Sequence, residues 1–188
     1  HDVGGGRAKY FRATSEVCAD VATAVADAVA DGAFPLVLGG DHTVAIGTAN
    51  GLARECDPGV LWVDAHGDFN VPATTPSGNI HGMALAAILG DGPFAEEGWA
   101  DAGVDPANVA MVGIRDLDPR ERDRLRDSDV TVFTVADIDE RGIATVVREA
   151  LDVATGGDGL QVSLDLDALD PNEAPGVGTP VRGGITYR

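Results

Sequence analysis

The sequence is poor in basic residues. Thirteen lysines and arginines stand against 31 aspartates and glutamates, a formal net charge of -18. Such a chain repels nucleic-acid phosphates and anionic membrane surfaces, so neither is expected as a partner. An acidic chain with little lysine suits a protein that works in high salt, where screening weakens the repulsion between its own charges.

Cysteines and long apolar runs are also scarce. Cys18 and Cys56 lie far apart, without a second ligand at metal-binding spacing, which predicts neither a zinc knuckle nor a disulfide framework and favours a reducing cytoplasm. No stretch approaches the ~18 consecutive apolar residues of a membrane span. The sequence also contains no basic segment followed by an apolar one, which is the pattern that would predict a secretory leader. We therefore expect a cytoplasmic location.

The composition is typical of one globular domain. Hydrophobic residues make up 44% and charged residues 23% of the chain, which is enough to bury a sizeable core. The sequence begins at His1 instead of a methionine and stops at Arg188, directly after "GGITYR". We expect residues 1–188 to be a single catalytic domain that is truncated at both ends.

Apolar strings alternate with helical patterns, which predicts crossover units and a mostly parallel sheet. Helices are expected at 14–32, in "TVAIGTANGLARE", near 119–127 and from about 138 to 155. Five strands are expected in "FPLVLGG", "GVLWVDA", "NVAMVGI" (108–114), "VTVFTV" (130–135) and "GLQVSLDLD" (159–167). With helices on both faces of the sheet, the fold class is α/β, a doubly wound three-layer α/β/α arrangement.

Six potential metal ligands follow three of these strands. They are His42 in "LVLGGDH", Asp64, His66 and Asp68 in "LWVDAHGD", and Asp165 and Asp167 in "VSLDLD". Alternate residues of an extended segment face the same side, so the second group is expected to share one face. In open α/β sheets the ligand binds beyond the carboxyl ends of the strands. We therefore expect all six side chains at one edge of the sheet.

The donor types indicate which metal this edge could hold. Four carboxylates are balanced by two divalent cations and not by one. Carboxylates mixed with imidazole favour Mn²⁺, with Fe, Co, Ni or Zn as competitors. Two such ions about 3.5–4 Å apart would leave room for a bridging water and lower its pKa. Each motif alone could be an ordinary turn or strand end, and it is their combination that favours a binuclear site.

The sequence resembles the ureohydrolases, and within them the arginases of bacterial or archaeal type. The resemblance runs in order through "FPLVLGGDHTVAIG", "LWVDAHGDFN", "TPSGNIHGMALA", "VGIRDLDPRE" and "SLDLDALDPNEAPGVGTPVRGGITYR". It implies the arginase/deacetylase fold, two Mn²⁺ per subunit and a homo-oligomer, trimer or hexamer. The implied reaction is hydrolysis of L-arginine to L-ornithine and urea by a metal-bridging hydroxide.

The resemblance also assigns roles to single residues. One manganese would be held by His42, Asp64, Asp68 and Asp165, and the other by Asp64, His66, Asp165 and Asp167. Asp64 and Asp165 would then bridge the two ions. His81 in "SGNIHGM" matches the family's proton-shuttling histidine, and an imidazole with a pKa near neutrality suits that role.

A second set of residues would choose the substrate. Asn70 and Ser77 match positions that contact the α-carboxylate of arginine, and Asn79 lies in the same loop. Asp118 matches a residue that faces the α-amino group, and Thr179 one that lines the guanidinium end. Turn chemistry is the alternative role for each of these polar residues.

Three alternatives remain open from the sequence. The substrate could be agmatine, guanidinobutyrate or formiminoglutamate, although Asn70 and Ser77 favour arginine. The domain could be a metal-binding remnant without turnover, although all six ligands are present. Asp41 could orient His42 or stabilise its own turn. The family's glutamate that pairs with the guanidinium belongs to a segment after "GGITYR", so the activity of this chain by itself is in question.

Overall fold

The computed structural model describes residues 8–187, which form two compact units. Of the described residues, 8–58 and Asp68–Asp105 belong to the first unit, and Gly59–Gly67 and 106–187 belong to the second. Within residues 8–187, no helix is both long and apolar enough to cross a membrane.

The first unit is helical. Helix α1 (Phe11–Ala30), helix α2 (Val44–Leu52) and the short helix α3 (Ala84–Ile88) are joined by loops and by two 3-10 helices, Ile80–Met83 and Gly92–Glu96. Helices α1 and α2 pack closely because α2 presents Gly47 and Gly51 to its neighbour. A Cβ atom on either glycine would lie 2.6 Å from a carbonyl oxygen of α1.

The buried strand expected in "FPLVLGG" is wrong. Residues 33–39 have no regular secondary structure, and Phe34, Leu36 and Leu38 are 90%, 78% and 86% exposed. Alternating apolar residues favour an extended backbone, but a strand also needs a partner for its N–H and C=O groups. Within residues 8–187 the sheet has four strands, and none of them pairs with this segment.

The second unit is built on that sheet. Its strands are β1 (Pro58–Val63), β2 (Val109–Ile114), β3 (Thr131–Thr134) and β4 (Gly159–Leu164), in the order β3-β2-β1-β4. Strand β2 runs parallel to both β1 and β3. The α/β class with a parallel sheet is thereby confirmed. Residues 60–62 and the whole of β2 are buried, which explains their uninterrupted apolar runs.

Three helices belong to the second unit: α4 (Pro119–Arg126), α5 (Val135–Arg141) and α6 (Ile143–Ala154). The single helix expected at 138–155 is divided at Gly142, whose φ of +81° is incompatible with helix and costs glycine little. Helix α6 packs Val146, Ala150 and Ala154 into a core with Leu61 of β1 and Phe133 of β3. This core supports the ends of β1 and β4, where the candidate ligands lie.

Candidate metal centre

Asp64, His66 and Asp167 form a compact group in the second unit. Each offers a ligand atom, and these atoms lie within 4.8 Å of one another. His66 Nδ1 is 3.0 Å from Asp167 Oδ2 and 3.6 Å from Asp64 Oδ1. Asp64 and Asp167 are only 1% and 3% exposed. Two buried carboxylates need a positive partner, so the donor set fits a divalent cation.

Main-chain hydrogen bonds fix the residues that directly follow β1 and β4 against the neighbouring strands. The N–H of Asp64 donates to Val112 O of β2 (3.1 Å), and that of Asp165 donates to Val63 O of β1 (2.9 Å). The Asp64 carboxylate accepts the N–H of His66 at 2.8 Å. The expectation that the ends of β1 and β4 bring ligands together is met for Asp64, His66 and Asp167.

The charge of His66 follows from this geometry. Hydrogen bonds to Asp167 and then to Asp64 raise the pKa of His66 to about 10, while burial acts in the opposite direction. The protonated imidazole is therefore the positive partner of the two carboxylates. A divalent cation would take over that function and release the proton, as ligand histidines must be neutral.

Asp165 has a different contact. It is the N-cap of the 3-10 helix Leu166–Ala168, and its Oδ1 accepts the N–H of Asp167 at 2.9 Å. Its carboxylate is half-buried and does not belong to the three-residue group, as far as the described residues go. The bridging role of Asp165 stays a prediction.

In the first unit, His42 pairs with Asp68. His42 Nδ1 lies 3.2 Å from Asp68 Oδ2, and both residues are 7% exposed. Asp68 has a left-handed backbone, with φ +46°, and its carbonyl accepts the N–H groups of Leu85 and Ala86 in α3 (3.0 and 3.2 Å). The strict alternation expected from Asp64 to Asp68 therefore ends before Asp68. A helix start and a strained backbone fix this residue instead.

The alternative roles of Asp41 can now be compared. Its Oδ1 accepts both the N–H (2.9 Å) and the hydroxyl of Thr43, and the residue is exposed. Asp41 stabilises its own turn, and this turn leads directly into α2.

The predicted substrate residues make local contacts. Asn70 is 5% exposed, and its Oδ1 accepts the Thr74 hydroxyl at 2.9 Å. Ser77 Oγ accepts the N–H of Asn79 at 3.1 Å, and Asn79 Oδ1 accepts from Lys9 Nζ at 3.1 Å. These bonds are those of structured turns, and the substrate contacts of all three residues remain predictions.

His81 and Asp118 lie at helix starts. His81 is half-buried in the 3-10 helix Ile80–Met83, and the neighbouring Gly82 O accepts the N–H of Asn70 at 3.3 Å. Asp118 is the N-cap of α4, where its N–H donates to Glu121 Oε2 at 3.1 Å.

Thr179 contacts the group of Asp64, His66 and Asp167. Its hydroxyl donates to Asp167 Oδ2 at 2.9 Å. The sequence predicts that Thr179 lines the guanidinium end of the substrate, and this contact gives it a second function as a hydrogen-bond donor to a candidate ligand.

Two further residues contact the ligands without being predicted to. Trp62 is 0% exposed and fills the core, and its Nε1 also donates to Asp64 Oδ2 at 3.1 Å. The sequence spacing could have indicated this contact, because residues two apart on a strand share a face. Arg115 donates to main-chain carbonyls around Asp167, and nothing in the sequence indicates which carbonyls an arginine will reach.

The chain belongs to the arginase family, because the family model described as "Arginase family" matches residues 1–188. It is 45% identical to the arginase of Bacillus caldovelox, over 100% of its own length and 64% of the relative's. The crystal structure of arginase from Bacillus cereus superposes with a TM-score of 0.92 at 44% identity, covering 100% of this chain and 66% of that one.

More distant similarity extends to the agmatine ureohydrolase of Thermoplasma volcanium. Its crystal structure gives a TM-score of 0.71 at 26% identity, covering 92% of this chain and 53% of that one. The chain thus spans just under two thirds of the arginases named above. The resemblance inferred from the motifs and the arginase-like α/β fold are both confirmed.

Proposed function

We propose that the protein hydrolyses L-arginine to L-ornithine and urea at a binuclear manganese centre. The observation that carries this proposal is the compact group of Asp64, His66 and Asp167 in a chain of the arginase family. Membership of the family supplies the reaction class, and the group supplies metal ligands where that reaction needs them.

Six residues would hold the two ions. One ion takes His42, Asp64, Asp68 and Asp165, and the other takes Asp64, His66, Asp165 and Asp167. The close pairs His42–Asp68 and His66–Asp167, at 3.2 and 3.0 Å, support this division because each pair would serve one ion. When bound, two divalent cations supply Lewis acidity and a water of lowered pKa.

Hydrolysis of a guanidinium group needs an activated water. A guanidinium carbon is a poor electrophile because its charge is delocalised over three nitrogens. Addition of water to this carbon and cleavage of the bond to the side-chain nitrogen give urea, and that nitrogen leaves with a proton as the amine of ornithine. We assign delivery of the proton to His81, whose half-buried imidazole can exchange with solvent.

Two points favour arginine over agmatine as the substrate. The identity is 44–45% to the two arginases and 26% to the agmatine ureohydrolase. In addition, the resemblance matches Asn70 and Ser77 to positions where arginases contact the α-carboxylate, a group that agmatine lacks. Asn79, Asp118 and Thr179 complete the proposed substrate set. A trimer or hexamer in the cytoplasm is part of the same proposal, and two cysteines that form no disulfide within residues 8–187 fit a reducing compartment.

The test is urea release by the complete product of the gene, purified with Mn²⁺. L-arginine should give a higher kcat/KM than agmatine or guanidinobutyrate. Asp167→Asn should abolish turnover, while Asp129→Asn, an exposed carboxylate of the same unit, should leave it unchanged. Agmatine as the better substrate would overturn the specificity, and no urea from any of them would favour a non-catalytic metal-binding protein.

A further inference from the structure

Arg115 makes an unusual set of contacts just beyond β2. Its two terminal guanidinium nitrogens donate to five main-chain carbonyls. Nη1 reaches Gly113 O and Ala168 O at 3.2 Å each, and Nη2 reaches Asp167 O at 2.7 Å, Val181 O at 2.7 Å and Leu169 O at 3.3 Å. Three of the five carbonyls belong to consecutive residues that begin with the candidate ligand Asp167.

The main chain of Arg115 extends this connection to the other ligand segment. Its N–H donates to Ala65 O at 2.9 Å, and Ala65 lies between Asp64 and His66. The N–H of Ala65 in turn donates to Asp167 Oδ1 at 3.2 Å. One residue therefore links the two segments that carry the metal group.

A second path leads from the guanidinium to the carboxylate of Asp167. The bond to Val181 O anchors the loop that carries Thr179, and the Thr179 hydroxyl donates to Asp167 Oδ2 at 2.9 Å. Asp170 closes the same loop by accepting the N–H groups of Gly183 (2.9 Å) and Gly184 (3.3 Å). Both oxygens of Asp167 are thus oriented by groups that Arg115 holds.

Only an arginine can make this arrangement. A planar guanidinium directs its donors in fixed, divergent directions, whereas a lysine offers three donors on one nitrogen. The buried Nε of Arg115 has no hydrogen-bond partner among residues 8–187. That unpaired donor has a cost, which the bonds made by the terminal nitrogens must offset.

We propose that Arg115 is a positioning residue that fixes the Asp167 carboxylate for metal binding, and so sets the affinity of the ion held by His66 and Asp167. This inference rests on the proposed metal centre. It assigns Arg115 no contact with the substrate or with the metal.

The test compares Arg115→Lys with Arg126→Lys, an exposed arginine of α4 in the same unit. Free Mn²⁺ is titrated by electron paramagnetic resonance against the complete gene product, and unfolding is measured separately in EDTA. R115K should weaken one of the two Mn²⁺ sites by about 10- to 100-fold, the range found when groups that orient metal ligands are removed. The other site, and both sites of R126K, should keep the affinity of the unmodified protein.

Two other outcomes would overturn the inference, for different reasons. Loss of stability in EDTA with unchanged Mn²⁺ affinity would make Arg115 merely structural and overturn the inference. If the unmodified protein binds no Mn²⁺, the proposed function falls, and the role of Arg115 falls with it.

A second pair of variants covers the case in which R115K does not fold. Thr179→Val removes the donor to Asp167 at the end of the loop that Arg115 anchors, while Thr179→Ser keeps it. The inference requires weaker Mn²⁺ binding in T179V than in T179S, and equal affinities would refute it.

Discussion

Trp62→Phe is the substitution that best separates the support of a ligand from simple core packing. The Trp62 indole donates from Nε1 to Asp64 Oδ2 at 3.1 Å, and both side chains are buried. Phenylalanine keeps most of the apolar contact but removes the donor. Asp64 then loses one of the groups that fix its carboxylate.

The magnitude has two parts. A hydrogen bond to a charged group contributes about 1.5–3 kcal/mol, and the smaller ring leaves part of a fully buried site unfilled, so W62F should lose roughly 2–5 kcal/mol of unfolding free energy. Its affinity for Mn²⁺ should fall about 10- to 100-fold, because a ligand has lost its orienting partner. Denaturant unfolding in EDTA measures the first quantity, and Mn²⁺ titration measures the second.

Trp99→Phe is the matched control. Trp99 Nε1 likewise donates to a carboxylate two residues away, Glu97 Oε2, at 3.1 Å. This pair lies in the first unit and involves no candidate ligand. W99F should lose stability and keep its Mn²⁺ affinity. The reasoning is refuted if W62F binds Mn²⁺ as tightly as W99F does, whatever the two changes in stability.

Three further predictions concern turnover, pH and salt. His81→Asn should lower kcat by about 10²- to 10⁴-fold without changing the Mn²⁺ content, and unchanged turnover would remove His81 from the mechanism. Burial raises the pKa of the Cys18 thiol from 9.0 to about 11, so the unfolded chain loses this proton first as pH rises. The unfolding free energy should therefore fall by up to about 3 kcal/mol between pH 9 and 11, and a Cys18→Ala variant with the same decline would contradict this. Because the net charge is -18, the urea midpoint should rise between low and multimolar KCl, and a salt-independent midpoint would exclude a high-salt adaptation.

The sheet could be predicted from the sequence wherever a strand has a partner. Strands β1 and β2 lie within two residues of the expected starts because continuous apolar runs are typical of buried parallel strands. Strand β4 begins at the expected Gly159, although its burial alternates along the strand. The segment 34–40 has the same kind of composition but lies unpaired and exposed. Composition predicts an extended backbone, while pairing depends on residues distant in the sequence.

The candidate ligand group of Asp64, His66 and Asp167 could be predicted to a similar degree. Asp64, His66 and Asp167 come together because parallel strands end at the same edge. The left-handed backbone of Asp68 and the capping contact of Asp165 could not be foreseen, since both depend on which N–H groups lie nearby. The contacts of Arg115 could not be foreseen either, because its partners are main-chain carbonyls, which every residue has.

Two metal ions that share one centre are detected by the electron paramagnetic resonance spectrum of the Mn²⁺-loaded gene product. Two Mn²⁺ ions bridged by carboxylates at about 3.5–4 Å should give an exchange-coupled spectrum after two equivalents are added. Asp64→Asn, which alters a proposed bridge, should abolish the coupling. Saturation at one equivalent, or a spectrum of isolated Mn²⁺ ions at two, would contradict the binuclear centre.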